Sequence, residues 1–485
     1  MKKPSPALSL SPFILLSVLM ILVVWHFGAD ALNGGSQVAL ILSAGFVIAV
    51  SMIFCKTPFK RIEEAIGENI HNIAPAIIIL LLIGAIGGTW MLSGVVPTLI
   101  VYGLKIISPG IYLFAAALLS AVVALMTGSS WTTIATLGVA LIAIGQALGF
   151  EVPLCAGAII SGAYFGDKVS PLSDTTVLAS SSSGVPLFTH IRYMMISTAP
   201  AFVIALIIYL VISLLHPSVG DAGVEEVEQA MRSTFNISGW LLVVPVITGI
   251  MIWRKVPAIL TLLSASLMAC VAALIAQPQI VAEVAGSGAS ALDFNSAFKG
   301  ITLMLSDSTS VQTGSEAIDS LVATGGMKGM LLTIFLIICA AMFGGSLVGS
   351  GMIDSLTDAL TRRIHSRGGL VGATLVTGLF SNIAMGDQYL SIILTTRLYK
   401  ELYARLGYED RLLSRSTEDC ATVTSVLIPW NSCGMTQATV LRVPTLSYAP
   451  FCFFNILSPV ISAIYAVTGY KIYRRQESPS VTEGR

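Results

Sequence analysis

Charge is the scarcest ingredient of this chain. Of its 485 residues only 26 are basic and 26 acidic, 11% together, where a soluble domain carries roughly 25%. A soluble chain of this length needs a charged skin, so soluble multidomain enzymes, nucleic-acid binders and disordered scaffolds are excluded. Cysteine is sparse too. The seven cysteines, at 55, 155, 270, 339, 420, 433 and 452, include no CxxC pair and sit in or beside apolar runs. That excludes a disulfide framework and reads as small packing residues. Histidine is rarer still: His26, His71, His190, His216 and His365 are all expected near helix ends, in water.

What fills the space is apolar: 55% of the residues, at a mean hydropathy of +0.86. These residues lie in runs long enough to cross a bilayer at about 1.5 Å per residue. The runs fall near 11–28, 37–55, 73–92, 190–215, 239–253, 256–276, 329–350 and 448–472. Two more spans, 152–186 and 415–446, are interrupted by Pro and polar residues. Segments 110–146 and 368–403 carry polar breaks at mid-length and read as re-entrant hairpins. The first run follows Lys2 and Lys3 with no A-x-A cleavage pattern, so it reads as a retained helix. Basic residues give the direction. Lys2, Lys3, Lys56, Lys60, Arg61, Arg254, Lys255, Arg362, Arg363, Arg367, Arg397, Lys400, Arg405, Arg411, Arg415, Lys471, Arg474 and Arg475 mark cytoplasmic ends, while loops 216–238 and 277–328 are basic-poor. Ten full spans with both termini in the cytoplasm satisfy all of these. The long loop (Asp307, Thr313, Glu316, Asp319) is open between a lid, a small helix and an inert connection.

The chain repeats itself. A shift of 258 residues lays Gly128 on Gly386, Gly149 on Gly407, Glu151 on Glu409, Pro171 on Pro429 and Pro186 on Pro444. A shift of 257 lays Ser93-Gly94 on Ser350-Gly351. Gly and Pro thus recur at every backbone break. With five spans and one hairpin per copy, the second copy is inverted. The expected fold is therefore an all-α polytopic membrane protein of two inverted repeats with helices broken at mid-membrane, the architecture of secondary transporters. The first repeat is 1–217, an external loop covers 218–238, the second repeat is 239–475, and 476–485 is a cytoplasmic tail.

An ionised side chain at the bilayer centre costs about 2.5–3.5 kcal/mol on insertion scales, so the polar residues at these breaks need a reason. The first interrupted span runs Gly166-Asp167-Lys168-Val169-Ser170-Pro171-Leu172-Ser173-Asp174-Thr175-Thr176. Pro171 opens the helix, and the carboxylates, hydroxyls and freed carbonyls form an all-oxygen cluster that suits a hard, small cation. Asp167 and Lys168 read as partly neutralising each other, which leaves Asp174 as the better cation ligand or proton carrier. The second copy replaces the acids with Asn431 and Ser432 after Pro429. The hairpin tips offer Ser129, Ser130 and Thr132 on one side and Asp387 with Gln388 on the other, Asn382 lying just before the second tip. Glu418, Asp419 and Lys168 are candidates for an access path, the first two alternatively as helix caps. Desolvation favours the protonated carboxyl, so one carboxylate can hold a proton or a cation in turn. Replacement of Asp174 or Asp387 by Asn is expected to abolish that exchange.

Thr127-Gly128-Ser129-Ser130-Trp131, the 166–176 motif, Gly386-Asp387-Gln388-Tyr389 and the stretch from Leu413 through Glu418-Asp419 to Pro429-Trp430-Asn431-Ser432-Cys433-Gly434 together resemble the NhaC-type sodium/proton antiporter family over about residues 60 to 460. The resemblance implies a bacterial inner-membrane exchanger of Na+ for H+, working by alternating access, with no cofactor and no enzymatic step. Its partners would be the bilayer, the two ions and, in some similar proteins, an organic acid or amino acid; a homodimer is left open. Coupled transport of a small organic anion or amino acid is the alternative, with Ser129, Ser130 and half-helix ends able to hold a carboxylate. An intramembrane aspartyl protease is excluded: Tyr164 and Ala384 break both GxGD patterns, and the chain has no Tyr-Asp dipeptide.

Overall fold

The computed structural model describes residues 3–27, 34–216, 221–254, 256–286, 292–311, 319, 322–361, 364 and 366–474. Lys2, Lys255, Thr313, Glu316, Arg362, Arg363, His365, Arg475 and the tail 476–485 lie outside the described residues. The described residues are helical almost throughout, with two isolated bridges, Thr309 to Thr324 and Tyr408 to Arg474. In chain order the helices are α1 (Pro6–Phe27), α2 (Gly35–Cys55), α3 (Phe59–Leu92), α4 (Val95–Ile106), α5 (Tyr112–Thr127), α6 (Ser130–Ala147), α7 (Val152–Val169), α8 (Asp174–Ser183) and α9 (Leu187–Leu215). There follow α10 (Asp221–Thr234), α11 (Val243–Trp253), α12 (Ala258–Ala276), α13 (Pro278–Val284), α14 (Phe294–Ser306), α15 (Leu331–Ser350) and α16 (Met352–Thr361). The last are α17 (Arg367–Met385), α18 (Gln388–Arg405), α19 (Asp410–Thr417), α20 (Ser432–Leu441) and α21 (Phe453–Thr468). Nine of the described helices are long and apolar enough to cross a membrane, or eleven when each of two bent pairs counts as one span.

The apolar residues face outward as well as inward. Ile21, Ile207, Val246, Val271 and Val376 are all more than half exposed, on helices that would be insoluble in water with such flanks. The interior, by contrast, is rich in hydroxyls and small residues. Both features belong to a bundle solvated by lipid.

Outside the expected loops 218–238 and 277–328, which hold α10, α13 and α14, two helices escaped the hydropathy reading. α4 and α16 each start just after a glycine in the left-handed region, Gly94 at φ +82° and Gly351 at φ +73°. They are short, and their runs fall below a full span. α3 also begins fourteen residues before the expected 73, because its first turns carry Lys60, Arg61, Glu63, Glu64 and Glu68, all exposed. At about 1.5 Å per residue its 34 residues reach about 51 Å, well beyond a hydrocarbon core of about 30 Å. The charged end projects out of it. Loop 277–328 holds α13 and α14, and α14 packs on α3.

Helix starts recur at a fixed offset. Ser130, Val152 and Asp174 open α6, α7 and α8; Gln388, Asp410 and Ser432, each 258 residues on, open α18, α19 and α20. The caps recur too: Ser129 and Asp387 each accept a backbone N–H three residues ahead. α5 and α6 fold back on each other around Gly128, and Tyr112 at the start of α5 donates to the Leu141 carbonyl late in α6 at 2.5 Å. α17 and α18 do the same around Gly386, with Thr374 bonded to Tyr403 at 3.1 Å and Thr377 to Tyr399 at 2.8 Å. Both turns need φ near +65° (Gly128 at +67°, Gly386 at +64°), which glycine adopts without strain.

α7 lies against α5 more closely than side chains allow. A Cβ on Gly162 would sit 2.0 Å from the Ala117 carbonyl oxygen, and one on Gly166 would sit 2.1 Å from that of Ala121. The contact is backbone on backbone, so it cannot relax. G162V is expected to destabilise the fold by about 1–3 kcal/mol and to lower its melting temperature in detergent. G45A, where a Cβ meets nothing within 4 Å, should leave it unchanged.

Candidate functional site

Both hairpin tips and the first helix break meet at one cavity of about 640 Å³. Its wall includes Ser129 and Thr132 from the first tip, Asp387 and Gln388 from the second, and Asp167, Ser173, Asp174 and Thr175 from the break between α7 and α8. Three carboxylates line it, and among the described residues no Lys, Arg or His does. Sequence reading missed Asn72, Thr261 and Tyr389, which also line it. The visible trace of the first was a polar residue three before Pro75 inside an apolar helix.

The three carboxylates differ in their surroundings. Asp167 is buried and takes three donors: the Ser130 N–H at 3.0 Å, the Ser130 hydroxyl at 2.7 Å and the Ser173 hydroxyl at 2.6 Å. Asp387 is buried and takes two, the Leu390 N–H at 3.0 Å and the Ser432 hydroxyl at 3.2 Å. Asp174 opens α8 and is exposed on the cavity wall. In each half, then, a carboxylate ties a hairpin tip to the break of the next helix. In the first half it sits on the broken helix, in the second on the tip. Ser432 adds a backbone bond to the Gly386 carbonyl at 2.7 Å.

Other expected residues are near the site but outside the cavity wall. Ser170 donates to the Leu125 carbonyl at 2.8 Å and accepts from the Leu172 N–H, so its hydroxyl closes the break. Asn431 caps α20, accepting from the Cys433 N–H at 3.0 Å and donating to the Asn382 carbonyl at 3.1 Å. Asn382 donates to the Ala421 carbonyl at 2.7 Å and to Thr424 at 3.1 Å. Thr175 shares a bond with Ser173 at 2.9 Å.

Lys168 does not neutralise Asp167. Successive helix residues point about 100° apart, and Lys168 turns away from the cavity toward Asp419 and Ser458. Its ammonium meets Asp419 at 2.5 Å and Ser458 at 3.0 Å, with Ser197 donating to the other Asp419 oxygen at 2.8 Å. Lys168, Asp419, Glu418 and Arg415 are all fully buried, and none of them lines the cavity. Arg415, read from sequence as a cytoplasmic marker, packs its guanidinium over the Tyr193 ring at 4.9 Å, 3.9 Å from Asp419. His190, expected in water, is buried with Nδ1 2.8 Å from the Ser414 hydroxyl.

The sequence model of the Na+/H+ antiporter family matches residues 5–182 and 162–470. The chain is 35% identical to the Na(+)/H(+) antiporter NhaC of Alkalihalophilus pseudofirmus, over 91% of this chain and 96% of that one. It is equally 35% identical to the malate-2H(+)/Na(+)-lactate antiporter of Bacillus subtilis, over 90% of each. The arginine/ornithine antiporter ArcD of Halobacterium salinarum is 33% identical over 99% of this chain and 95% of its own.

The Lys168–Asp419 pair is buried on both sides, so removing one partner strands the other charge. K168M is expected to destabilise the protein by about 3–5 kcal/mol. The double variant K168M/D419L should recover most of that loss. Melting of the purified variants in detergent checks both, and a K168M melting curve like that of the parent protein would refute it.

Proposed function

We propose that this chain, which belongs to the Na+/H+ antiporter family, is a secondary active transporter that exchanges Na+ for H+ across the bacterial inner membrane by alternating access. The observation that carries this is the cavity wall: three carboxylates, neutral oxygen donors and no described cation. Such a wall draws cations in and offers the oxygen ligands a small hard ion takes.

The site works by competition. Asp167 and Asp387 each hold a proton or help hold a cation, never both at once. The hydroxyls of Ser129, Thr132, Ser173 and Thr175 and the amide of Gln388 supply neutral oxygens. Ser130 fixes Asp167 to the first hairpin tip, Ser432 fixes Asp387 to the second helix break, and Ser170, Asn431 and Asn382 bond the backbone freed at the breaks. Asp174, exposed at the wall, receives the ion from water. Two inverted repeats, 1–217 and 239–475, each of five spans and a re-entrant hairpin, move against each other; the recurring helix starts at an offset of 258 support this. Basic clusters at Lys56, Arg254 and Lys471 support cytoplasmic termini.

A second reading has a specific basis. The malate/lactate relative matches this chain as closely as the sodium/proton one, at 35%, and the arginine/ornithine relative follows at 33%, while about 640 Å³ is far more room than one sodium ion fills. A small carboxylate could enter this acidic wall only together with a cation, which would make Na+ its coupling ion.

Purified protein in liposomes with an internal pH dye separates the two. External Na+ alone should change the internal pH. D167N and D387N should reduce that change to the level of protein-free liposomes. D174N should raise the half-saturating Na+ concentration severalfold while still supporting exchange. This departs from the sequence expectation of abolition, because Asp174 is exposed. A response that arises only when an organic acid or amino acid is added would favour the second reading.

A further inference from the structure

The mechanism above leaves a buried carboxyl, Glu418, without a task. Glu418 is fully buried, and neither of its carboxyl oxygens has a hydrogen-bond partner. It opens a π-helical turn, Glu418–Thr422, that continues α19, and such turns recur at functional positions. The neighbouring Thr422 hydroxyl is likewise buried without a partner.

The charges around it define what it can be. Those acting on it are Lys168 and Asp167 of α7 and Asp419 of its own helix. Lys168 is committed to Asp419 and Ser458. Arg415 lies one turn back, stacked on Tyr193 near Asp419. His190 of α9 is bonded to Ser414. Of the other helices packed on this turn, α17 carries only Arg367, which binds the Ala466 and Val467 carbonyls, and α8 carries only Asp174 at the cavity. On α18, Arg397, Lys400, Glu401 and Arg405 are exposed, and Tyr399 and Tyr403 are bonded to Thr377 and Thr374; α21 has only Tyr465. Lys168 is bonded to Asp419, and the Arg415 guanidinium, 3.9 Å from Asp419, makes no hydrogen bond. Neither cation donates to Glu418, and a buried carboxyl that no donor reaches favours the neutral acid.

We propose that Glu418 is a proton-binding site of the transport cycle, at the interface of the two halves and separate from the cavity. Lys168 belongs to α7 in the first half, and Glu418 and Asp419 to the second. Movement of α7 along α19 changes which carboxyl Lys168 serves. When Lys168 reaches Glu418, the carboxyl ionises and its proton leaves to water on that side, while Asp419 stays ionised on the Arg415 guanidinium and the Ser197 and Ser458 hydroxyls; when Lys168 returns to Asp419, Glu418 takes a proton up. No bond other than O–H is made or broken. This rests on the sodium/proton reading and adds one proton to what the cavity exchanges.

The test uses the full-length protein in lipid. Infrared difference spectra between acid and alkaline pH should show a protonated-carboxyl C=O band that E418Q removes and E418D shifts. In liposomes, the pH gradient that halts sodium-driven flux reports protons per cation whatever the rate, and E418Q should lower that number by one. A carboxyl band unchanged in E418Q, or a coupling number equal to the parent's, would overturn the proposal. A parent protein with no sodium-driven proton flux would instead sink the exchange reading, and the band would still decide whether Glu418 takes and releases a proton. Should E418Q fail to fold, the E418D shift alone decides.

Discussion

A carboxylate removed from water must find donors, and this protein distributes them unequally. Asp419 has a lysine and two serine hydroxyls. Asp167 has three donors from serines, and Asp387 has two. Glu418 has none, and Asp174 keeps its water at the cavity wall. The best-served group is a structural anchor. The intermediate ones sit at the cavity, where donors are sufficient to hold position but leave lone pairs for an incoming ion. Carboxylates saturated by fixed donors have nothing left to offer a cargo, so partial satisfaction is a requirement of the site.

Two of the cavity donors, the Ser130 and Leu390 N–H groups, are backbone freed at a helix start. Each helix break frees N–H and C=O groups that would otherwise be spent within the helix, and each is closed by a side chain of the same stretch: Ser129, Ser173, Asp387 and Asn431 all cap the helix that follows. Irregular backbone at this depth survives only where it lines a cavity or is buried in protein. The glycine contacts of α7 with α5 serve the same end from the other side. They hold the broken helix rigidly against the first hairpin arm, so the position of Asp167 relative to the Ser130 tip is set by backbone packing.

Much of this was legible in sequence, and the limit is informative. Gly128, Gly386, Pro171 and Pro429 mark breaks because glycine and proline act locally, through their own φ and N–H. The 258-residue offset followed from them. What sequence could not give is which buried group faces which. Lys168 and Asp419 lie 251 residues apart, while Asp167 is adjacent in the chain and pairs instead with Ser130 and Ser173. Adjacency in a helix suggests a contact that helix geometry forbids. Arg415 and His190 misled for a related reason. A basic residue beside an apolar run is read as a surface marker, and only a partner on another helix, Asp419 or Ser414, lets it be buried. Short α4 and α16 were missed because hydropathy detects spans, not the helices that brace them.

In the proposed cycle, the electrostatics that would bind a cation at Asp167 and Asp387 would also enforce exchange. With Asp167 and Asp387 both ionised and no ion in place, the cavity holds a net negative charge at membrane depth. Each uncompensated charge there costs about 2.5–3.5 kcal/mol on insertion scales, a penalty worth about a hundredfold in population at 1.4 kcal/mol per tenfold. The empty, charged cavity is therefore disfavoured in the occluded state through which alternating access must pass. Cation binding removes the penalty, and so does protonation. In that cycle the loaded forms would reorient and the empty form would stay, so an ion that leaves on one side would have to be replaced before the site returned. Tight coupling then needs no separate gate for each ion. In the proposed cycle it follows from placing partly satisfied carboxylates where closure of the cavity removes their water.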